Sequence, residues 1–217
     1  MGRPDEDRSS GRRQSRRGLP WTLLSFFLIL ETSPAHAGVD CIDEIAAASQ
    51  VYGVPPALLY VVALTESGVV RAARTTPNAY AVNIEGKAYQ FATQEAAIAT
   101  VRSALAAGHQ SVDVGCLQVN LHHHPQAFAS LADAFDPKHN VDYGTQYLRD
   151  LYRHYGNWTS AVAYYHGSNP AEQWNYVCAV HTRLAQFGLA HAGDCKSLRT
   201  TLGTNSFRPA LPPGAHQ

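Results

Sequence analysis

Apolar residues recur at helical spacing along most of the chain. The first such segment places Ile42 and Ile45 on one face, with Asp40 before them as a helix cap and Gly53 as the stop. This pattern predicts a short helix over residues 40–50.

The next segment is apolar on almost every side. It opens with Val54-Pro55-Pro56, runs to Glu66 and closes at Gly68, and proline in a first turn favours a helix start. A helix of this composition belongs in the interior of a protein. The carboxylate of Glu66 at its far end therefore needs a chemical reason to be there.

The period then changes from helical to alternating. Two alternating runs flank the turn Glu85-Gly86-Lys87, and their apolar positions are Tyr80, Val82, Ile84, Tyr89 and Phe91. Alternation on both sides of a glycine-containing turn predicts a β-hairpin over residues 79–93.

Further helical segments follow the hairpin. Capping residues or prolines mark their starts and glycines mark most of their ends, and they cover residues 93–108, 136–156, 160–165 and 169–188. We expect a mainly helical α+β fold over residues 38–198, a single helical domain with a small inserted hairpin. Residues 199–217 are rich in Pro, Gly and Thr, so we expect this tail to be disordered.

The N-terminal residues have the three parts of an export signal. Six arginines precede the apolar run Trp21–Leu30, and Ala35-His36-Ala37 is a small-residue cleavage site. The run is too short to cross a bilayer, which takes about 20 residues. We expect cleavage after Ala37, which removes residues 1–37 as a signal peptide and leaves a periplasmic or secreted protein.

The charge of the chain is balanced overall but unevenly placed. The 217 residues include 17 Lys plus Arg and 17 Asp plus Glu, and 45% are hydrophobic. A chain without positive excess is not expected to bind nucleic acid, and one this apolar is not disordered as a whole. Without residues 1–37 the chain is slightly acidic, with 11 basic and 13 acidic residues. We expect it to be a monomer with one core.

Glu66 is the strongest candidate for chemistry. It is in register with Leu59 and Val62, so its side chain should face the core. Burial and the negative end of the helix dipole both disfavour the anion and raise the pKa of this carboxyl. A carboxyl that stays protonated near neutral pH can act as a general acid on a glycosidic oxygen. The alternative is an ordinary solvated Glu at a helix end.

Three ordered motifs connect this Glu to a known family. They are Ala63-Leu-Thr-Glu66-Ser67-Gly68, Ser111-Val-Asp-Val-Gly115-Cys-Leu-Gln118-Val-Asn120 and Ala161-Val-Ala-Tyr-Tyr165-His166. Their order and spacing resemble the soluble lytic transglycosylase (SLT) family, whose fold is related to goose-type lysozyme. The resemblance spans residues 41 to about 187.

The resemblance implies a lysozyme-like domain that cleaves the MurNAc–GlcNAc β-1,4 bond in the glycan strands of peptidoglycan. Glu66 would be the single catalytic acid and base, and no cofactor or metal is implied. Gln118 corresponds to a glycan-contacting Gln of the family, and Tyr165 to a Tyr beside the catalytic carboxyl. We expect further substrate contacts from Ser67, Asn120 and His166.

Three residues depart from the usual pattern of the family. Cys116 stands in place of a bulky aliphatic residue, His166 in place of an Asn, and Ser168 in place of a Gly. A branch of the family that serves secretion or conjugation machines has a Tyr-His-Ser variant of the third motif. Tyr165-His166-Gly167-Ser168 is similar to that variant, so such a machine is the partner that the similarity suggests.

The sequence offers no clear second carboxylate. Two-carboxylate glycosidases place one about 5 to 9.5 Å from the acid. Glu85 and Asp113 are candidates, but a turn charge and a local cap explain them equally well. Without a second carboxylate, the N-acetyl oxygen of MurNAc would stabilise the cation, and Glu66 would deprotonate the 6-hydroxyl of the same sugar. The product would be 1,6-anhydro-MurNAc.

The cysteines of an exported chain are expected to form disulfides. None of the four has the Cys-x-x-Cys spacing of a zinc site, and an even number allows two bridges in three connectivities. Of these we expect Cys41 to pair with Cys116, pinning the first helix beside the active site, and Cys178 to pair with Cys195.

Neither the three adjacent histidines nor most of the aromatic residues are predicted to bind a ligand. Neighbours in His122-His123-His124 point in different directions and have no acidic or Cys ligand close in sequence, so we expect no metal site. Seven aromatic residues of the later helices could include platforms on which sugars stack, but their helical spacing favours the core for most of them: Tyr143, Tyr147, Tyr152, Tyr155, Trp158, Tyr164 and Trp174.

Two other functions stay open at this point. One is lysozyme-type hydrolysis by the same fold, with a product that carries a reducing MurNAc end. The other is a non-catalytic wall-binding module of a secretion or conjugation apparatus. Product masses separate hydrolysis from transglycosylation, and an unchanged activity of the Glu66→Gln variant would support the module.

Overall fold

The computed structural model describes residues 40–190. The predicted signal peptide at 1–37, the predicted tail at 199–217 and Cys195 lie outside the described residues. Within these limits the chain is mostly helical with small antiparallel sheets, which confirms the predicted mainly helical α+β class.

Helices account for most of residues 40–190. Their bounds are α1 Cys41–Tyr52, α2 Pro56–Ser67, α3 Gln94–Ala106, α4 Leu131–Ala134, α5 Pro137–Tyr155, α6 Trp158–His166 and α7 Pro170–Gln186. Proline occupies the first turn of α2, α5 and α7, and the Asp40 carboxylate caps α1 by accepting from the amide of Ile42 at 2.8 Å. None of the helices in this part of the chain is long and apolar enough to span a membrane.

The strands form two antiparallel sheets. Strands β1 Gly68–Arg71 and β2 Arg74–Pro77 pair as a hairpin, and β3 Ala81–Ile84, β4 Lys87–Gln90, β5 Val112–Val114 and β6 Val119–Asn120 form a sheet of order β4-β3-β5-β6. The predicted hairpin is β3–β4, with Val82 opposite Tyr89.

The β1–β2 hairpin was missed because its turn carries no local signal. The turn residues Ala72 and Ala73 adopt left-handed φ values of 46° and 64°, where Gly, Asn or Asp is usual. Strand β5 was missed for a different reason: only three of its residues pair with β3, which is too short a run to show an alternating pattern.

The buried apolar residues among 40–190 form two hydrophobic cores, whereas one was expected, because the sheet and the helices α3 and α4 enclose a core of their own. The first lies among the helices and includes Leu59, Leu117 and Leu148. The second lies between the four-stranded sheet and helices α3 and α4, and includes Val82 and Phe135. Seven of the twelve residues of α2 are buried, five of them in the first core, as the apolar composition of this helix predicts.

A disulfide joins the first helix to the link between β5 and β6. Cys41 and Cys116 are bonded and both are fully buried, which confirms this predicted pair. Cys178 is also disulfide-bonded, and its predicted partner Cys195 lies outside the described residues.

Asn140 on α5 anchors the turn Gly115–Gln118, which connects β5 to β6. Its side chain accepts a hydrogen bond from the Leu117 amide at 2.9 Å and donates to the carbonyls of Val114 at 2.9 Å and Ala134 at 3.0 Å. All of these groups are buried, so each would be costly to leave without a partner.

Gly115 makes room for this anchor. Its φ is +82°, and a Cβ atom at this position would approach the Asn140 side chain to between 2.3 and 2.8 Å. Glycine therefore satisfies both the backbone conformation and the close contact.

Replacing Asn140 with Ala should destabilise the fold strongly. Three buried backbone groups lose a partner, so we expect the free energy of unfolding to fall by ~3–5 kcal/mol. Urea unfolding of the oxidised protein measures this change. Asn175→Ala, at an exposed position of α7, is the matched control, with an expected change within ~0.5 kcal/mol. Equal losses in both variants would refute the anchoring role.

Candidate active site

A cavity of about 750 Å³ lies where the C-terminal end of α2 faces the sheet and the last three helices. Its wall includes Glu66 from α2, Asp113 from β5 and Tyr176 from α7. Of the predicted site residues, Gln118, Asn120, Tyr165 and His166 line the same cavity. Residues far apart in sequence are therefore brought to one surface.

Glu66 lies in the last turn of α2 with its carboxyl turned inward. Its Oε1 accepts a hydrogen bond of 2.5 Å from the Tyr176 hydroxyl. The pKa of Glu66 is raised to about 8: burial is the main cause, the bond from Tyr176 acts in the opposite direction, and the negative charge of Asp113 adds to the increase. Glu66 is therefore mostly protonated at neutral pH, in the direction that the sequence predicts.

Tyr176 is a site residue that sequence reasoning missed. It lies 110 residues from Glu66 on α7 and is only 6% exposed. The available signal was its spacing, because Tyr176 precedes the buried Val180 by four residues and so shares its helix face. Burial and the nearby Glu66 charge raise the pKa of Tyr176 well above 10, so its hydroxyl stays a donor.

The hydroxyl of Tyr165 supports the turn Gly115–Gln118, which lies beside the cavity. It donates to the Leu117 carbonyl at 2.8 Å, and burial keeps its pKa well above 10. Gly144 on α5 permits this approach, because a Cβ there would lie 2.7 Å from a methyl carbon of Leu117 and 2.9 Å from the Tyr165 hydroxyl. The hydroxyl of Tyr165 thus supports the turn while its side chain borders the cavity.

Asp113 is the one of the two candidate second carboxylates that reaches the cavity. Its Oδ1 accepts a hydrogen bond of 2.7 Å from the Asn120 amide, and burial raises the pKa of Asp113 despite that bond. Glu85 lies instead in the β3–β4 turn, 3.1 Å from His109, and does not line the cavity. The local-cap interpretation of Asp113 is thus incomplete, because its charge also acts on Glu66.

The amides of Gln118 and Asn120 are held by the fold. Gln118 adopts a left-handed φ of 45° and donates to the carbonyls of Ala81 and Gly115, both at 3.0 Å. Asn120 accepts from the backbone amide of His123 at 3.0 Å while it donates to the neighbouring carboxylate. Each amide therefore reaches the cavity in a fixed orientation.

Ser67 occupies a structural position. It is fully buried, does not line the cavity, and its hydroxyl lies 2.7 Å from the Cys116 carbonyl and 3.1 Å from that of Ala63. The backbone amide of Asn78 also donates to it, at 3.3 Å. This buried hydroxyl fixes the end of α2, which does not fit the expected substrate contact.

His123, His124 and several tyrosines also border the cavity. His124 lies 2.9 Å from the Tyr143 hydroxyl through Nδ1, and burial lowers its pKa. Among residues 40–190 no group of His, Cys, Asp or Glu is arranged to hold a metal ion. Four of the tyrosines for which the core was favoured are only partly buried and line the cavity: Tyr143, Tyr147, Tyr155 and Tyr164.

Comparison with known sequences adds one match. The family model of the Transglycosylase SLT domain matches residues 43–177, more than half of the chain. No curated protein and no solved structure matches. The matched range contains the cavity residues from Glu66 to Tyr176.

The raised pKa of Glu66 should make stability depend on pH. In the folded protein Glu66 binds its proton up to about pH 8, whereas in the unfolded chain it ionises near pH 4.5. The free energy of unfolding should therefore fall as pH rises through this window, by up to ~1.4 kcal/mol per pH unit.

The Glu66→Gln variant should lose this contribution, because Gln does not titrate. Denaturant unfolding from about pH 4 to about pH 9 compares the slopes of the two proteins. Glu95→Gln, at an exposed position of α3, should keep the wild-type slope. Parallel curves for wild type and Glu66→Gln would contradict the raised pKa.

Proposed function

The chain belongs to the Transglycosylase SLT domain family, and on this premise we propose that it is a peptidoglycan lytic transglycosylase. Its substrate is the β-1,4 bond between MurNAc and GlcNAc in glycan strands, and its product ends in 1,6-anhydro-MurNAc. The observation that carries the proposal is the carboxyl of Glu66, which lines the cavity, accepts a hydrogen bond from Tyr176 and has a pKa raised to about 8 by burial.

In the first step Glu66 is the general acid. Its proton passes to the glycosidic oxygen, the bond from C1 of MurNAc to that oxygen breaks, and GlcNAc leaves with a new hydroxyl. The N-acetyl carbonyl oxygen of MurNAc stabilises the positive charge at C1. The Tyr176 hydroxyl supports this step, because its hydrogen bond stabilises the Glu66 anion as it forms.

In the second step the same carboxylate is the general base. Glu66 takes the proton of the 6-hydroxyl of MurNAc, and the O6–C1 bond forms within the sugar. The protonated acid is thereby restored and no water is consumed. An intramolecular nucleophile gains strongly from proximity, with effective molarities on the order of 10⁵ M or more.

The residues that line the cavity supply the proposed glycan contacts. Gln118, Asn120 and His166 face it with polar groups, and Tyr165 borders it beside the turn. Sugars are neutral and rich in hydroxyl groups, so fixed amides and aromatic side chains suit them as partners. We assign Ser67 no direct contact, because it is fully buried.

The predicted export of the chain supports peptidoglycan as its substrate. The buried Cys41–Cys116 disulfide fits an oxidising compartment, where peptidoglycan lies and where the predicted signal peptide would deliver the chain. The Tyr165-His166-Gly167-Ser168 segment is similar to the variant found in the branch that serves secretion or conjugation machines. We therefore propose that the chain cleaves peptidoglycan for such a machine.

Hydrolysis is the second candidate, and the position of Asp113 favours it. This carboxylate lines the same cavity and its charge acts on Glu66. In that reaction Asp113 would stabilise the cation at C1 or orient a water molecule, as the second carboxylate of a two-carboxylate glycosidase does. The product would carry a reducing MurNAc end and be one water heavier.

Digestion of purified peptidoglycan followed by mass spectrometry should give anhydro products. Glu66→Gln should reduce their release on the order of 10³-fold, because one group serves as both acid and base. Glu95→Gln is the matched control and should stay active. Equal release by wild type and Glu66→Gln would contradict both enzymatic readings and support a wall-binding module.

The Asp113→Asn variant separates the two reactions. If transglycosylation is the reaction, this variant should still form anhydro ends, because Asp113 takes no part in either proton transfer. Reducing ends from the wild type, lost in Asp113→Asn, would establish hydrolysis instead.

A further inference from the structure

His166 covers the tyrosine that binds Glu66. The rings of His166 and Tyr176 are parallel, with an interplanar angle of 1° and centroids 4.4 Å apart. Tyr176 is 6% exposed, whereas His166 is exposed and lines the cavity. The imidazole therefore stands between the cavity and one face of the phenol ring.

The position of this imidazole is set by the link between the last two helices. His166 ends α6, and Tyr176 lies in the second turn of α7. The Gln173 side chain donates to the Gly167 carbonyl at 2.7 Å and ties the start of α7 to the residue that follows His166. The two rings are therefore held by neighbouring backbone segments that are bonded to each other.

We propose that His166 is a positioning residue for Glu66. Its ring holds the Tyr176 hydroxyl on the carboxyl by stacking, and it limits the access of cavity water to that hydrogen bond. One stacking contact joins His166 to Tyr176, and one hydrogen bond joins Tyr176 to Glu66. This proposal rests on the proposed function, in which Glu66 is the acid and the base.

Stacking rather than charge is how His166 positions Tyr176 at the pH where Glu66 titrates. Burial lowers the pKa of His166, while the carboxylates that face it, Glu172 on α7 and Asp113 on β5, act in the opposite direction. Burial is the larger cause, so the ring is neutral near pH 8, and an uncharged aromatic ring should replace it.

The experiment compares His166→Ala, His166→Asn and His166→Phe with the wild type. Its first readout is the pKa of Glu66, measured by NMR on protein with labelled glutamate carboxyl carbons, which requires no activity. The second is the pH profile of kcat/KM on peptidoglycan fragments. His109→Ala, an exposed histidine outside the cavity, is the matched control.

We expect water to reach the carboxyl in His166→Ala and His166→Asn. A weaker bond from Tyr176 would raise the pKa of Glu66, but burial is the larger of the two causes, so the pKa should fall by about one unit or more when water reaches the carboxyl. The alkaline limb of kcat/KM should move down equally. At neutral pH kcat should fall about twofold or more, because a smaller fraction of Glu66 is then protonated. His166→Phe should restore both values, and His109→Ala should change neither.

An unchanged Glu66 pKa in both His166→Ala and His166→Asn would overturn the proposal. Failure of His166→Phe to restore the pKa would also overturn it, because the polar atoms of the imidazole would then matter rather than the stack. If the pKa shifts as expected but the wild type releases no peptidoglycan product, the proposed function fails and the positioning role stands.

Discussion

The buried backbone of the turn Gly115–Gln118 is the constraint on which the rest of the structure depends. Its polar groups lie between two hydrophobic cores, where each needs a partner. Side chains from three helices supply them: Ser67 from α2, Asn140 from α5 and Tyr165 from α6. The same bonds set the cavity, because Glu66 precedes Ser67 and His166 follows Tyr165. Structural residues thus position neighbours that line the cavity.

Competing effects on the pKa of one carboxyl suit it to the two roles proposed for Glu66. Burial and the charge of Asp113 favour the neutral form of Glu66, and the hydrogen bond from Tyr176 favours the anion. Burial prevails, and the resulting pKa of about 8 lies close to neutral pH. A group with such a pKa can both release and accept a proton at modest cost. Either effect alone would favour one of the two roles at the expense of the other.

The sequence predicts what local chemistry determines. Helix starts follow from caps and prolines, the buried α2 follows from its composition, and the β3–β4 hairpin follows from alternation around a glycine turn. The partners of the turn and of Glu66 could not be predicted in this way. Asn140 bonds to a group 23 residues away and Tyr176 to one 110 residues away. Helical spacing can place Tyr176 on a buried face, but it does not identify the partner of either side chain. Ser67 shows the converse, since its place in a motif suggested substrate contact whereas its hydroxyl bonds within the fold.

The choice between transglycosylation and hydrolysis depends on which carboxylate reaches the nucleophile. The 6-hydroxyl of the substrate has an effective concentration far above that of water, so it prevails wherever Glu66 can accept its proton. Water prevails only if a second carboxylate orients it at C1. Asp113 lies in the cavity with a raised pKa, but one oxygen already accepts from Asn120. That bond fixes the direction of the carboxylate, and the freedom of its other oxygen then determines whether a water molecule can be held against the sugar.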